Sequence, residues 1–225
     1  MTAAKTSTPK TPKAPKAPKA SQSRSAGRPR AEDVEVRAQE LLLAAGRLFI
    51  KNGFSKVSLE MIAREARVAI RTIYVKFGGK AGLVKALMEA KREDFLSSRT
   101  LGQDPRPAAE ALRDFAHELH TLLNTPEAQA LQRMVAAEAQ TEPELAETFF
   151  AHGPGITHAT LRHYFDRPDV RAQLREDLPF DQLPVFFVAC VIGDSLSRLL
   201  QRPRKDATPQ ALDERLKLFF RACLR

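Results

Sequence analysis

An all-α protein carrying a helix-turn-helix is the fold this sequence predicts, on three observations. Apolar residues recur at helical spacing through most of residues 31–224. No polar/apolar alternation lasts long enough to predict a strand. Between residues 58 and 77, two short helical patterns flank a tight turn that carries one apolar residue, Val68. In such a pair Ala63 is the small residue at the helix crossing and Val68 the buried turn residue, and the second helix enters a DNA major groove.

Taken in order, Ala31-Glu32-Asp33 places acids in a first helical turn, where the helix dipole favours them. Val34, Ala38, Leu41, Ala45, Leu48 and Phe49 continue that helix to Asn52-Gly53, where Gly53 is free to take a left-handed cap. Ser58 is the expected N-cap of a second helix, Leu59 to Ala66, with Glu60 in its first turn and Val57 and Ile62 as a hydrophobic staple. Ile73 and Phe77 lie four apart on a short third helix, which Gly78-Gly79 breaks. A fourth runs from Lys80 to about Ser98 through Leu83, Leu87, Ala90 and Phe95.

Beyond the connector Pro105-Arg106-Pro107, helical patterns cover about 107–123, 126–140, 142–152, 155–166, 179–201 and 208–224. Pro126, Pro143, Pro179 and Pro209 sit near helix starts, where a missing N–H is harmless. Leu183 to Ile192 is apolar nearly all round, so it is expected to be buried on more than one side.

The charge is unevenly spread. The chain carries +9 over 225 residues, and residues 1–30 hold eight basic residues and no acid. Residues 31–100 have 13 basic and 9 acidic residues, and 101–225 have 15 and 18. This asymmetry points to a polyanionic partner at the N-terminal end. In residues 9–20, PKTPKAPKAPKA, a polyproline II helix would align Lys10, Lys13, Lys16 and Lys19 on one edge. The segment is expected to be disordered when free and to neutralise phosphates, or else to serve as a solvated linker. Gly27-Arg28-Pro29-Arg30 resembles an AT-hook core, with Ala26 where an arginine is usual, and directs Arg28 and Arg30 to a minor groove.

Other classes are set aside. The longest apolar run, Val185 to Ile192, falls far short of the ~20 residues that span a bilayer. No apolar signal region follows the N-terminal charge, and Cys190 and Cys223 form no CxxC pair, so a cytoplasmic protein without membrane association is expected. Gly193-Asp194-Ser195-Leu196 resembles the nucleophile block of a serine esterase family, but the last histidine, His163, precedes it, and a serine without a base is a weak nucleophile. His117 and His120 share a helix face with no third ligand evident, and are expected to be solvated. No catalytic residue, metal or cofactor is expected.

Ala44-Ala45, Leu48-Phe49, Gly53-Phe54, Val57-Ser58, Ile62-Ala63, Ala66, Val68, Thr72-Ile73-Tyr74, Phe77, Lys80 and Leu83, in one register, resemble the DNA-binding domain of the TetR family of repressors. Thr72 to Lys80 is the most specific part. Beyond the basic tail (1–30) read from composition, the resemblance implies a three-helix helix-turn-helix domain (31–100) and a helical ligand-binding and dimerisation domain (101–225). It also implies that Ser58 and Leu59 begin the supporting helix near the DNA backbone. Ile70, Arg71, Thr72 and Tyr74 would face the groove, and Lys76 and Lys80 would lie by phosphates. The chemistry agrees: arginine pairs with a guanine edge, isoleucine packs on a thymine methyl, and Tyr and Lys suit phosphate oxygens. Ile73 and Phe77 read as core, and Ile70 is open between groove and core.

Four positions depart from the family pattern. Arg67 stands where a glycine is usual, so it takes on a left-handed conformation or the helix ends without one. Ala69 replaces a polar cap, Gly79 a serine, and Gly82 inside the fourth helix is expected to cost ~1 kcal/mol against alanine.

For the C-terminal half, the resemblance implies that the last helices pack against a second subunit, with Phe186, Phe219 and Phe220 as candidates. Met134, Glu138, Phe149, His152, His163, Phe187 and Cys190 are the inward-looking polar or soft residues that an effector pocket would use, although each reads more readily as ordinary core or surface than as a ligand contact. The expected function is a homodimeric, ligand-responsive repressor of a palindromic double-stranded DNA operator, switched by a small-molecule effector. A nucleoid-associated architectural protein, binding DNA mainly through its tail, is the alternative. Deletion of residues 1–26 is expected to weaken DNA binding broadly and to flatten its salt dependence, since fewer counterions are released. An unchanged slope in a salt titration of affinity would leave the tail without a role.

Overall fold

The computed structural model describes residues 31–95, 101–200 and 207–225; the Lys/Pro tail, with Arg28 and Arg30, lies outside the described residues. Four helices come first: α1 (Ala31–Asn52), α2 (Leu59–Glu65), α3 (Ile70–Phe77) and α4 (Lys80–Phe95). A 3-10 turn, Leu101–Gln103, then leads to α5 (Ala108–Leu123), α6 (Pro126–Glu138), α7 (Pro143–His152), α8 (Pro154–Phe165), α9 (Pro168–Arg171), α10 (Leu183–Ile192), α11 (Ser195–Leu199) and α12 (Pro209–Cys223). Among the described residues there is no strand, only an isolated bridge between Leu174 and Leu224 that ties the C-terminus to the loop after α9.

The ends of the first helices follow local chemistry. Gly53, at φ 85°, closes α1 with its N–H on the Phe49 carbonyl at 2.9 Å. The Ser58 hydroxyl accepts the Met61 N–H at 3.3 Å and caps α2. The turn between α2 and α3 closes with the Val68 N–H on the Ala63 carbonyl at 2.9 Å. Arg67 does take the left-handed conformation, at φ 53°, alone among the described non-glycine residues. That state costs a side-chain-bearing residue about 1–2 kcal/mol.

Gly78, left-handed at φ 78°, ends α3, and Gly79 follows at φ 131°. The role expected for Gly82 is corrected here. A Cβ at Gly82 would lie 1.5 Å from the Phe77 carbonyl oxygen, so the missing side chain lets α4 start directly against the end of α3. The helix-propensity cost of this glycine is the condition for the corner.

Two cores hold the chain. Leu41, Ala45, Phe49, Phe54, Val57, Ile62, Ala63, Ile73, Leu83 and Val84 form the first, together with Met134 and Val135 of α6 and Leu145 of α7. The helix-turn-helix is therefore packed on residues of the C-terminal half. The second core gathers Leu112, Leu119, Leu161, Tyr164, Phe165, Phe187, Leu216 and Phe219 from α5, α8, α10 and α12.

The helix expected over 179–201 is shorter and broken. Gly193, at φ 66°, ends α10, and the Asp194 carboxylate caps α11 by accepting the Ser197 N–H at 3.1 Å. The Gly-Asp-Ser-Leu block is thus a helix junction. His117 pairs with Asp213 at 2.9 Å, and His120, expected to be solvated, is buried on α5. No described helix is long and apolar enough to cross a membrane.

Two glycine substitutions test this account in opposite directions. Gly82→Ala is expected to destabilise by about 1–3 kcal/mol or more, an overpacking cost, despite alanine's better propensity. Arg67→Gly relieves left-handed strain against an unfolded-state entropy cost, and is expected to stabilise by about 0.5–1 kcal/mol. Urea unfolding reads both, and a gain in the first or a loss in the second would contradict the stated geometry.

Candidate nucleic-acid interface

At about 100° per residue, α3 separates into two faces. Ile73 is fully buried, and Ile70 and Phe77 are half-buried beside it against the first core. The opposite arc carries Tyr74, Arg71, Val75, Thr72 and Lys76, all exposed. Ile70, which the sequence left open, therefore packs inward. The apolar group that looks outward is Val75, 76% exposed, in the middle of the arc between Arg71 and Thr72. Sequence reasoning missed it, although its place one turn after Arg71 was the available signal.

The arc is a two-sided recognition surface in chemical terms. Arg71 offers a planar fork of donors, Thr72 a hydroxyl, Tyr74 (58% exposed) a phenol and Val75 an aliphatic surface. Lys51, Lys56, Arg64 and Arg67 are exposed on the neighbouring elements. Of the flanking acids, Glu65 lies 3.8 Å from Arg47. The Glu60 carboxyl is held below its usual value by hydrogen bonding, first to Ser58 and then to its own backbone.

The expected phosphate-facing residues are not all disposed alike. Ser58 spends its hydroxyl on capping α2 and on Glu60, and Leu59 is half-buried. Lys76 is exposed, its Nζ 6.0 Å from the Phe77 ring centroid. Lys80 opens α4 as expected, but its Nζ sits 4.2 Å from the Phe54 ring centroid, in the field of Glu138.

The candidate effector residues are spread over both cores and the surface. Met134 and Phe149 pack into the core under the helix-turn-helix. Glu138 is bound to the loop between α1 and α2, and His152 lies 3.6 Å from Glu89 of α4 while its carbonyl accepts from Arg92 at 3.3 Å. Phe187 is fully buried in the second core, 5.3 Å from Phe219 and 6.4 Å from Phe115 between centroids. Cys190 is half-buried, its thiol pushed up by burial, and its carbonyl accepts from Arg215 at 2.5 Å. His163 is exposed beside Gly102.

A cleft of about 210 Å³ opens elsewhere, lined by Leu101, Asp104, Arg106, Ala111, Asp114, Phe115 and Glu118. Its polar wall is an ion-pair cluster in which Arg106 bridges Asp104 at 2.7 Å and Asp114 at 2.6 Å. Within the second core the Tyr164 hydroxyl is buried with no hydrogen-bond partner among the described residues, and burial pushes its phenol up to about 12. No group of three or more His, Cys, Asp or Glu suited to a metal occurs among the described residues.

The candidate dimer residues divide as well. Phe186 is exposed, whereas Phe219 and Phe220 are buried inside the chain's own core. The exposed apolar positions near Phe186 in the sequence and on the last helix are Val185, Leu196, Leu199, Leu200 and Leu218.

Residues 41–87 match the family model for bacterial regulatory proteins of the tetR family, and 110–179 that for the C-terminal domain of AefR-like transcriptional repressors. Together these spans take in just over half of the chain. A Bacillus subtilis relative, the uncharacterized HTH-type transcriptional regulator YdeS, is 24% identical over 76% of this chain and 85% of its own length. The solved structure of the flavonoid-responsive regulator FrrA is 28% identical, with a TM-score of 0.63 over 84% of this chain and 98% of that one. NalD of Pseudomonas aeruginosa, described as the secondary repressor of the MexAB-OprM multidrug efflux pump, shares the fold at 24% identity, with a TM-score of 0.65 over 86% of this chain and 99% of that one. With a left-handed joint at Arg67, a reading helix turned outward and both halves matched, the chain belongs to the TetR family of bacterial transcriptional regulators.

Proposed function

We propose that this DNA-binding regulator acts as a homodimeric repressor of a palindromic operator and is released by a small-molecule effector. The observation that carries the reading is the exposed arc of α3. Arg71 takes a guanine edge, Val75 packs on a thymine methyl, Thr72 and Tyr74 complete the contact, and Lys76 neutralises phosphate. Lys80, at the start of α4, lies by a second phosphate. Ser58 and Leu59 lie at the backbone side of α2, and Arg28 and Arg30 add minor-groove contacts.

Dimerisation is supported by the apolar side chains left exposed on α10, α11 and α12, with Phe186 and Leu218 (66% exposed) among them. Exposed apolar surface of this kind is a common mark of an association site. Two reading helices would then meet successive major grooves about 34 Å apart. Responsiveness to a small molecule is supported by the flavonoid-responsive relative FrrA. An effector can act only through its differential affinity for DNA-competent and DNA-incompetent conformers.

Selection of bound duplexes from a random pool by the full-length protein, at about 150 mM salt where charge alone binds weakly, tests the reading. Enrichment of a palindrome supports it, and A·T-rich DNA without dyad symmetry would put architectural binding in its place. On the selected operator, Arg71→Ala is expected to cost about 1–3 kcal/mol and to relax one base position per half-site. Val75→Ala is expected to give a smaller loss at a thymine position. Equal losses on every sequence in a competition assay would contradict base reading by either residue.

A further inference from the structure

The loop between α1 and α2 is gripped by one side chain from the C-terminal half. Glu138, the last residue of α6, accepts the Phe54 N–H on Oε1 at 2.8 Å, the Ser55 N–H on Oε2 at 2.7 Å and the Ser55 hydroxyl on Oε2 at 2.6 Å. The donors lie 83 and 84 residues away along the chain. Gly53 makes the approach possible, because a Cβ there would lie 2.7 Å from Oε1 in a left-handed backbone.

The grip reaches beyond the loop. Phe54, whose N–H is captured, is buried with its ring 5.3 Å from that of Phe49, and the same ring carries the Lys80 ammonium at the start of α4. Burial alone would raise the Glu138 carboxyl, but hydrogen bonds from Ser55 and Phe54 and the charge of Lys80 outweigh it and hold the group below the usual carboxylate range. One carboxylate thus addresses the end of α1, the approach to α2 and the start of α4. One turn earlier on α6, Met134 and Val135 enter the shared core. Charge-assisted bonds to fixed backbone donors are directional, where apolar packing tolerates sliding.

We propose that Glu138 is the positioning residue that sets the orientation in which the C-terminal half presents α3 to DNA. Its hold on residues 53–55 selects the half-site spacing that the dimer accepts. This rests on the palindrome reading above.

The test uses full-length wild type, Glu138→Ala, Glu138→Gln and Ser55→Ala on the duplex selected by the wild type, and on the same duplex with one or two base pairs inserted between half-sites. Fluorescence anisotropy gives affinities, and the ratio between spacings cancels any loss of folded protein. Glu138→Ala is expected to weaken binding at the selected spacing on the order of tenfold and to flatten the spacing preference, with Ser55→Ala between it and wild type. Glu138→Gln keeps the shape and one acceptor, and serves where the alanine variant fails to fold. A preference unchanged in the variants, or affinity lost equally at all spacings, would overturn the proposal. A wild type with no spacing preference refutes the palindrome reading instead. Amide exchange of the free protein then decides the hold itself: about tenfold faster exchange at Phe54 and Ser55 in Glu138→Ala upholds it, and unchanged exchange overturns it.

Discussion

The presentation of α3 depends on how its inner face is held. Ile73, with Ile70 and Phe77 beside it, packs into a core that α1, α2 and α4 line but do not close. Met134, Val135 and Leu145 of α6 and α7 complete that core. Burial of side chains this size contributes roughly 1.5–3 kcal/mol each, a large share of the marginal stability of a small helical unit. The reading helix can turn Arg71, Val75 and Tyr74 outward because its other side is anchored on both halves of the chain.

Against that apolar base the polar and strained features act as locators. The left-handed backbone at Arg67 sets the angle between α2 and α3, and Gly78, Gly79 and Gly82 let α4 begin against the end of α3. Glu138 then fixes the remaining joint, between α1 and α2. Each junction in the helix-turn-helix thus has its own constraint, and only the last is supplied from outside residues 31–95.

Much of the first four helices was legible because their ends are written in neighbouring residues. Gly53, Ser58 and Gly78 cap where their chemistry says they should. The misreadings have a common cause in contacts distant along the chain. Gly82 looks like a propensity cost until the Phe77 carbonyl is seen beside it. Glu138 reads as ordinary core or surface, or as a pocket residue, because nothing near it in sequence mentions a loop 84 residues away. Phe219 and Phe220 are adjacent and apolar, so periodicity cannot say whether they face a partner or the chain itself; packing of α12 on α5 and α10 takes both inward. Val75 was passed over because an aliphatic residue on a short helix defaults to core. The division of the C-terminal half into one effector region was equally beyond local patterns, since α6 and α7 face the first core while α8, α10 and α12 build the second.

The shared core also defines what can be transplanted between relatives. A chimera joining this chain's reading helices to another regulator's C-terminal half, cut at the boundary after α4, would leave Phe49, Ile62 and Leu83 facing foreign side chains where Met134, Val135 and Leu145 belong. The smallest exchangeable part is discontinuous: residues 31–95 together with 126–152, inherited as a matched set. Mutational drift in α6 or α7 is therefore constrained by the packing of the DNA-reading motif, even though neither helix lies in it.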